Sequence, residues 1–186
     1  HIKERRRTRL LKKKIMVLLI EDNPDDVEMI RILSADMVVG SLDITSANDL
    51  STGIKLMAEE KFDIVLLDLF LPDSVGIGTL SGLHAITTEL PVIVMTGHND
   101  QTLAIEAVQQ GAQDYLIKGQ TDANLLWRSV CYAIERKKML TQLEQMRQRE
   151  QREKEINSLK QISDPSQAEI SAQFFGIMPL RKYAPD

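Results

Sequence analysis

Acidic residues are crowded directly after the first apolar run of the chain. The stretch VLLIEDNPDD, residues 17–26, contains four carboxylates: Glu21, Asp22, Asp25 and Asp26. Because like charges repel one another at this spacing, a positive group is needed to hold them together. Clustered carboxylates with few nitrogen ligands suit a hard cation, and Mg²⁺ binds through one or two carboxylates together with water and phosphate oxygens. We interpret Asp25 and Asp26 as first-turn residues of a helix, and Glu21 and Asp22 as candidate metal ligands.

Three further polar residues each follow an apolar run. Asp68 ends DIVLLD, Thr96 ends VIVMT and Lys118 ends DYLIK. An aspartate in such a position can act as a nucleophile and form an aspartyl-phosphate. The metal and the Lys118 ammonium would neutralise charge on a transferred phosphoryl group, to which Thr96 would donate a hydrogen bond. Each residue alone is more often a helix cap or a solvent-facing loop residue, but the combination favours a phosphoryl-transfer site.

Five strand-like segments alternate with helical segments and must position these side chains. The strands are predicted at residues 15–20, 42–47, 63–67, 91–95 and 114–117. The first and third are continuously apolar, as expected for strands covered by helices on both faces. The alternation predicts an α/β fold with a doubly wound, five-stranded parallel sheet in the flavodoxin-like order 2-1-3-4-5. In that order, the carboxyl ends of the strands bring the polar residues to one pocket.

Helix signals fill the intervals between the strands. Asn23 is a predicted N-cap with Pro24 at the first helical position, and Gly111 is a predicted helix stop. The segment 76–89 is the weakest helix, because Gly78 and Gly82 lower its propensity. From about Asp122 the chain has no Gly or Pro for roughly forty residues and is rich in Leu, Glu, Gln, Arg and Lys. It predicts an extended C-terminal helix.

Composition and charge exclude several classes of function. The single cysteine, Cys131, cannot form an intramolecular disulfide and suits a reducing, cytoplasmic location. The longest apolar run, IMVLLI, is too short to span a membrane. Residues 1–14 carry a formal charge of +7, whereas residues 15–122 carry −14. The acidic part is a poor partner for phosphate backbones, so we expect no direct nucleic-acid binding by the folded domain.

The chain divides into four predicted segments: a basic, disordered leader (1–14), a folded domain (15–136), a helical connector (137–162), and a further segment or truncated output region (163–186). Beyond the folded domain, apolar residues of the long helix would be left in water: Leu140, Leu143, Met146, Ile156 and Leu159. An isolated amphipathic helix is stabilised mainly by packing its apolar face. We therefore predict a homodimer through this helix, with folding back onto the domain as the alternative.

A family resemblance rests on four motifs: IEDNPDD, DIVLLDLFLPD, VIVMTG and GAQDYLIKG. With these motifs, residues 15 to about 140 resemble the receiver domain of two-component response regulators, the CheY-like fold. The resemblance implies phosphorylation of Asp68 by a histidine kinase or phosphotransfer protein. It implies Mg²⁺ on Asp22, Asp68 and the backbone carbonyl of Phe70, with Glu21 acting through water. It also implies coupling of Thr96 to the rotamer of Tyr115, and no turnover activity beyond slow hydrolysis of the phosphoryl group.

Three departures and three alternatives accompany the resemblance. Gly119 stands where many receivers have a proline that follows a cis peptide, Phe70 is bulky and apolar, and the last helix runs on. A haloacid-dehalogenase-type phosphatase would need an acid at the position of Phe70. A nucleotide-binding module would need a Gly-rich turn after the first strand. A pseudo-receiver that acts only as a protein-binding scaffold is left open.

Overall fold

The computed structural model of the chain describes residues 14–97 and 100–162. Most of the predicted leader and the whole of segment 163–186 lie outside these residues. The described residues fall into two compact units, one ending at Met139 and the other beginning at Leu140.

Seven strands and five helices follow one another along the first unit and into the second. In chain order they are β1 (Lys14–Ile20), α1 (Pro24–Ala35), β2 (Ser41–Ala47), α2 (Leu50–Glu59), β3 (Ile64–Asp68), β4 (Phe70–Leu71), β5 (Ser74–Val75), α3 (Ile77–Ile86), β6 (Val92–Thr96), α4 (Gln101–Gln109), β7 (Asp114–Ile117) and α5 (Ala123–Ile162). The strand β1 begins at Lys14, a residue that the sequence assigned to the leader. Its ammonium lies 2.7 Å from Asp43 Oδ2 in the neighbouring strand.

Five strands form one parallel sheet in the order β2-β1-β3-β6-β7. Counted without the short antiparallel hairpin of β4 and β5, this is the order 2-1-3-4-5, so the predicted fold class is confirmed. A parallel order requires that all five strands end at the same edge of the sheet. Every predicted strand lies within one residue of its observed bounds.

The core consists of two apolar layers, one on each face of the sheet. Along β1, Val17 and Leu19 belong to one layer, and Leu18 and Ile20 belong to the other. The first layer is completed by α1 and by the buried residues of α5, which are Leu126, Val130, Ala133 and Ile134. The second layer is completed by α2, α3 and α4. Both faces of the central strands are therefore buried, which explains their continuous apolar sequences.

Side-chain caps fix where the helices begin near the carboxyl edge. Asn23 Oδ1 accepts a hydrogen bond from the Asp25 amide (2.9 Å), and Pro24 occupies the first position of α1, as predicted. Asp49 caps α2 by accepting from the Thr52 amide (2.6 Å). The α2 amides also receive a second carboxylate, because Asp73 in the turn of the hairpin accepts from Leu50 N and Ser51 N, both at 2.9 Å. The hairpin that follows Asp68 is thereby tied to α2.

The last helix, α5, is 40 residues long. Five of its apolar residues from Leu140 onward are exposed: Leu140, Leu143, Met146, Ile156 and Leu159 each keep between 50% and 63% of their surface in solvent. Within the described residues, no helix has the length and apolar character needed to cross a membrane.

Candidate functional site

The sheet register brings the predicted site residues to one edge. Asp68 is the last residue of β3 and pairs with Met95 of β6, and Thr96 pairs with Ile117 of β7. Lys118 follows directly, and its amide donates a hydrogen bond to the Thr96 carbonyl (2.9 Å). On the other side, the Glu21 amide extends β1 by donating to Ala47 O (2.9 Å). Side chains from four separate stretches of sequence therefore meet at the carboxyl edge.

The Lys118 ammonium is the positive centre of this pocket. Its Nζ lies 2.6 Å from Glu21 Oε2 and 3.0 Å from Asp26 Oδ2, and it also donates to Asp68 Oδ2. Glu21 is 2% exposed and Asp68 is 6% exposed. Removing the Lys118 ammonium would leave these buried carboxylates without their positive partner, which is costly. In the protein alone, Lys118 thus holds Glu21, Asp26 and Asp68 together.

The sequence interpretation missed one member of this cluster. Asp26 was assigned to the first turn of a helix, which is where it lies, but its carboxylate also pairs with Lys118, 92 residues further along the chain. Its neighbour Asp25 is exposed and has no ion pair among the described residues. Adjacent residues of a helix point about 100° apart, so one of the two can face the pocket while the other faces solvent. The sequence signal for this contact is the position of Asp26 in the first turn of a helix that begins at the carboxyl edge of the sheet.

Three carboxylates meet the requirements of a divalent metal. Glu21, Asp22 and Asp68 each offer an oxygen, and these oxygens lie within 4.8 Å of one another. Asp22 is exposed, whereas Glu21 and Asp68 are buried, so the set opens toward solvent on one side. An all-oxygen set with room for water suits Mg²⁺. These residues fit the predicted metal site.

The backbone amide of Phe70, which follows β3, helps to orient the carboxylate of Asp68, the candidate nucleophile. Asp68 Oδ1 accepts a hydrogen bond from the Phe70 amide (2.9 Å), while Oδ2 is paired with Lys118. Both carboxylate oxygens are therefore oriented. Phe70 itself is 44% exposed. The role of its carbonyl as a metal ligand stays a prediction.

Burial and charge shift the ionisation of the two central groups. Desolvation raises the pKa of Glu21 to about 7, with a further contribution from the nearby Asp68 charge and an opposing one from Lys118. Burial acts to lower the pKa of Lys118, but hydrogen bonds with Asp68, Glu21 and Asp26 outweigh it and raise that pKa above its ordinary value. Lys118 therefore stays charged, and in the metal-free pocket Glu21 keeps its proton to a higher pH than an ordinary glutamate does.

Thr96 lies at the pocket without contacting its carboxylates. The residue is 2% exposed, and its hydroxyl donates to the carbonyl of Gly97 (3.2 Å). Tyr115 lies on the adjacent strand, level with Val94, and is partly buried against the second apolar layer. Thr96 and Tyr115 therefore lie on neighbouring strands, and their coupling stays a prediction. Gly119, which follows Lys118, has φ 77°, a conformation that glycine adopts without steric cost, and residues 14–97 and 100–162 contain no cis peptide bond.

Comparison with known proteins agrees with this geometry. The model of the response regulator receiver domain matches residues 17–129. The chain is similar to the transcriptional regulatory protein KdpE of Mycobacterium tuberculosis (strain ATCC 25618 / H37Rv), with 35% identity over 103 residues, 55% of this chain and 44% of that protein. It is also similar to the regulatory protein AtoC of Escherichia coli (strain K12), with 36% identity over 101 residues, 54% of this chain and 22% of that protein. The chain thus spans less than half the length of these two relatives.

A solved structure shows the same fold. The response regulator receiver domain protein from Clostridium thermocellum superimposes with a TM-score of 0.58 at 30% identity, covering 68% of this chain and 98% of that one. The parallel five-stranded sheet with an acidic pocket at its carboxyl edge is the arrangement expected of an α/β receiver module. Because the family model matches more than half of the chain, the chain belongs to the response regulator receiver domain family. The resemblance inferred from the four motifs is confirmed.

Receiver domains share several general properties. Receiver domains of response regulators take part in two-component signalling with histidine kinases, typically bind Mg²⁺ at an acidic pocket, and are in general not turnover enzymes. The acidic pocket of this chain is the cluster of Glu21, Asp22 and Asp68.

Proposed function

We propose that the chain accepts a phosphoryl group on Asp68 from a histidine kinase or phosphotransfer protein, with Mg²⁺ bound, and transmits a conformational signal to a C-terminal output through α5. One observation carries this proposal. The buried Asp68 contacts the Lys118 ammonium and shares a metal-sized space with two other carboxylates, Glu21 and Asp22.

The chemistry is a displacement at phosphorus. An oxygen of Asp68 forms a bond to the phosphorus atom, and the bond between phosphorus and the donor breaks, so that the donor atom leaves with the electron pair. Mg²⁺ held by Glu21, Asp22, Asp68 and the Phe70 carbonyl would supply positive charge to the phosphoryl oxygens. Lys118 moves its contact from Asp68 to a phosphoryl oxygen, which requires little displacement because the two groups already touch.

A switch follows from the placement of Thr96. The Thr96 hydroxyl now donates to Gly97 O, a weak exchangeable contact at 3.2 Å. A phosphoryl oxygen is a stronger acceptor because it is charged, so phosphorylation draws the hydroxyl toward Asp68. We propose that Tyr115 then fills the space that Thr96 leaves, which repacks the face formed by α4 and β7.

The signal leaves the receiver through its last helix. We propose that residues 15–136 form the receiver, that residues 137–162 form the connector, and that residues 163–186 begin the output. The buried residues of α5 pack on the sheet, and the exposed apolar residues from Leu140 onward are available to a second copy of the helix. The dimer is proposed for this reason.

The test is the uptake of a phosphoryl group from a small acyl phosphate, followed by intact mass. We expect one added phosphoryl group in the presence of Mg²⁺, and none with chelator or in Asp68→Asn. Asp63→Asn is a suitable control because this aspartate precedes the same strand at its opposite end. A protein that uses the pocket only as a scaffold would gain no mass under any of these conditions.

A further inference from the structure

The ion pair between Asp26 and Lys118 joins a helix to the far strand of the pocket. Asp26 lies in the first turn of α1, and Lys118 follows β7. The Asp26 side chain is 24% exposed and the Lys118 side chain is 17% exposed, so water reaches the pair only partly. Both residues border a cleft lined by Met95 and Leu116. An ion pair against apolar walls is less screened than one on an open surface.

Asp26 differs from the other carboxylates that contact Lys118. Glu21 and Asp68 belong to the set of oxygens that lie within 4.8 Å of one another, whereas Asp26 is outside that set. If Mg²⁺ binds to this set, as the proposed function requires, the charges of Glu21 and Asp68 are neutralised mainly by the metal and not by Lys118. Asp26 is then the carboxylate that remains for the ammonium.

We propose that Asp26 is a positioning residue for phosphoryl transfer, which holds the Lys118 ammonium at the pocket after the metal has engaged Glu21 and Asp68. This inference rests on the proposed function for its consequence and on the ion pair for its geometry. A long, flexible lysine side chain loses rotamer freedom when it is fixed in one place. Because Asp26 stays in contact with Lys118 throughout the reaction, the lysine side chain is already fixed before the phosphoryl group arrives. Transfer then begins from an aligned ammonium.

The first test compares two neighbouring substitutions in the full chain. Asp26→Asn removes the charge that faces Lys118, and Asp25→Asn removes the same charge from the same helical turn on the exposed side. At saturating Mg²⁺, we expect Asp26→Asn to slow phosphorylation by a small acyl phosphate about tenfold, because the ammonium is misplaced. Asp25→Asn is expected to react like the wild type, and Asp26→Glu is expected to recover part of the rate.

Metal affinity separates positioning from ligation. Calorimetric titration with Mg²⁺ should give the same dissociation constant, within about twofold, for the wild type and Asp26→Asn, because the metal set does not include Asp26. A loss of Mg²⁺ affinity in proportion to the loss of rate would overturn the proposal and make Asp26 a ligand. Equal rates for Asp26→Asn and Asp25→Asn would also overturn it.

A second readout does not depend on phosphorylation. Ammonium protons that are held in a shielded ion pair exchange with water more slowly than those of an exposed lysine, and nuclear magnetic resonance measures this exchange. In the Mg²⁺-saturated wild type, we expect slower exchange for Lys118 than for the exposed Lys61. We expect severalfold faster exchange for Lys118 in Asp26→Asn but not in Asp25→Asn. Slow exchange that depends on Asp26, without any phosphoryl uptake, would overturn the proposed function while showing that Asp26 holds the Lys118 ammonium. Equal exchange in the three proteins, or exchange at Lys118 as fast as at Lys61, would refute the positioning role.

Discussion

At the scale of single residues, the pocket is a balance between four carboxylates and one ammonium. Lys118 contacts Glu21, Asp26 and Asp68, and Asp22 adds a further negative charge at the solvent side. Burial raises the pKa of Glu21 to about 7, and the nearby charge of Asp68 adds to this shift. A pocket with surplus negative charge is ready to receive a divalent cation.

The raised pKa of Glu21 predicts how the stability of the metal-free protein depends on pH. Because the folded-state pKa lies above the unfolded value, the contribution of Glu21 is fully present below about pH 4.5 and is lost as the pH rises through about 7. With chelator present, we expect the wild type to lose up to about 3 kcal/mol of unfolding free energy relative to Glu21→Gln between pH 4.5 and 8. Denaturant unfolding of the two proteins measures this difference. Parallel stability curves would contradict the assignment.

Thr96 carries the prediction about switching. Thr96→Ala removes the hydroxyl but no metal ligand, so we expect Mg²⁺ affinity to stay nearly unchanged while the response of Tyr115 to phosphorylation is weakened. Thr96→Ser keeps the hydroxyl and should retain most of the response. The resonances of the Tyr115 ring, followed before and after phosphorylation, give the response. Losses of metal affinity and of response in equal proportion would argue against a specific role in switching.

At the scale of elements, packing between the helices and the sheet depends on a few close approaches. Gly40, before β2, is one of them, since a Cβ atom placed there would lie 2.0 Å from the Trp127 ring of α5. Gly119 has nearly the same backbone angle, 77° against 74°, with nothing near its added Cβ. A substitution at Gly119 therefore tests backbone strain alone, whereas one at Gly40 adds steric overlap with Trp127.

This pair gives a prediction about stability. Gly119→Ala should cost about 1 to 2 kcal/mol, the ordinary penalty for a left-handed backbone. Gly40→Ala should cost about 1 to 3 kcal/mol more, because the indole has to move. Chemical unfolding followed by the fluorescence of Trp127, the single tryptophan, measures both. Equal costs would mean that α5 does not pack against this turn as described.

The sequence predicts most elements of this fold because the relevant signals are local. Continuous apolar runs identify the buried strands, and Asn23 and Pro24 identify the start of α1. The hairpin of β4 and β5 escapes prediction, since strands of two residues have no measurable periodicity. The second cap of α2 escapes it too, because Asp73 reaches the helix across 22 to 23 residues of sequence.

The same distinction applies to the site. The position of Asp68 at a strand end follows from the apolar run before it, and its meeting with Lys118 follows from the strand order. The contact of Asp26 with Lys118 depends on which way one turn of α1 faces, and only the packed structure fixes this. The sequence thus locates the pocket, while tertiary packing decides which of two adjacent acids enters it.

At the scale of the whole molecule, the chain combines an acidic receiver with a helix that continues beyond it. The exposed apolar residues of α5 from Leu140 onward form a sparse row among charged neighbours. Such a row stabilises a helix pair modestly, because residues 147–155 contain no apolar side chain. A modest interface suits regulation, since a small change in free energy then alters the dimer population.

The prediction for the whole molecule is a weak dimer through this helix. Leu143→Glu should shift the sedimentation of the full chain toward the monomer, because it places a charge in the apolar row. Gln145→Glu adds the same charge at an exposed polar position and should leave association unchanged. Monomers at high concentration for all three proteins, with and without phosphorylation, would show that the row packs within its own chain or stays unpaired.

The central claim is that Asp68 receives the phosphoryl group, and chemical trapping tests it most directly. Borohydride reduces an aspartyl-phosphate to homoserine, so that the modified residue can be located by peptide mass. After reaction with a small acyl phosphate and Mg²⁺, we expect homoserine at position 68 and at no other aspartate. Homoserine elsewhere, or unmodified Asp68 in a folded, Mg²⁺-saturated protein, would contradict the account.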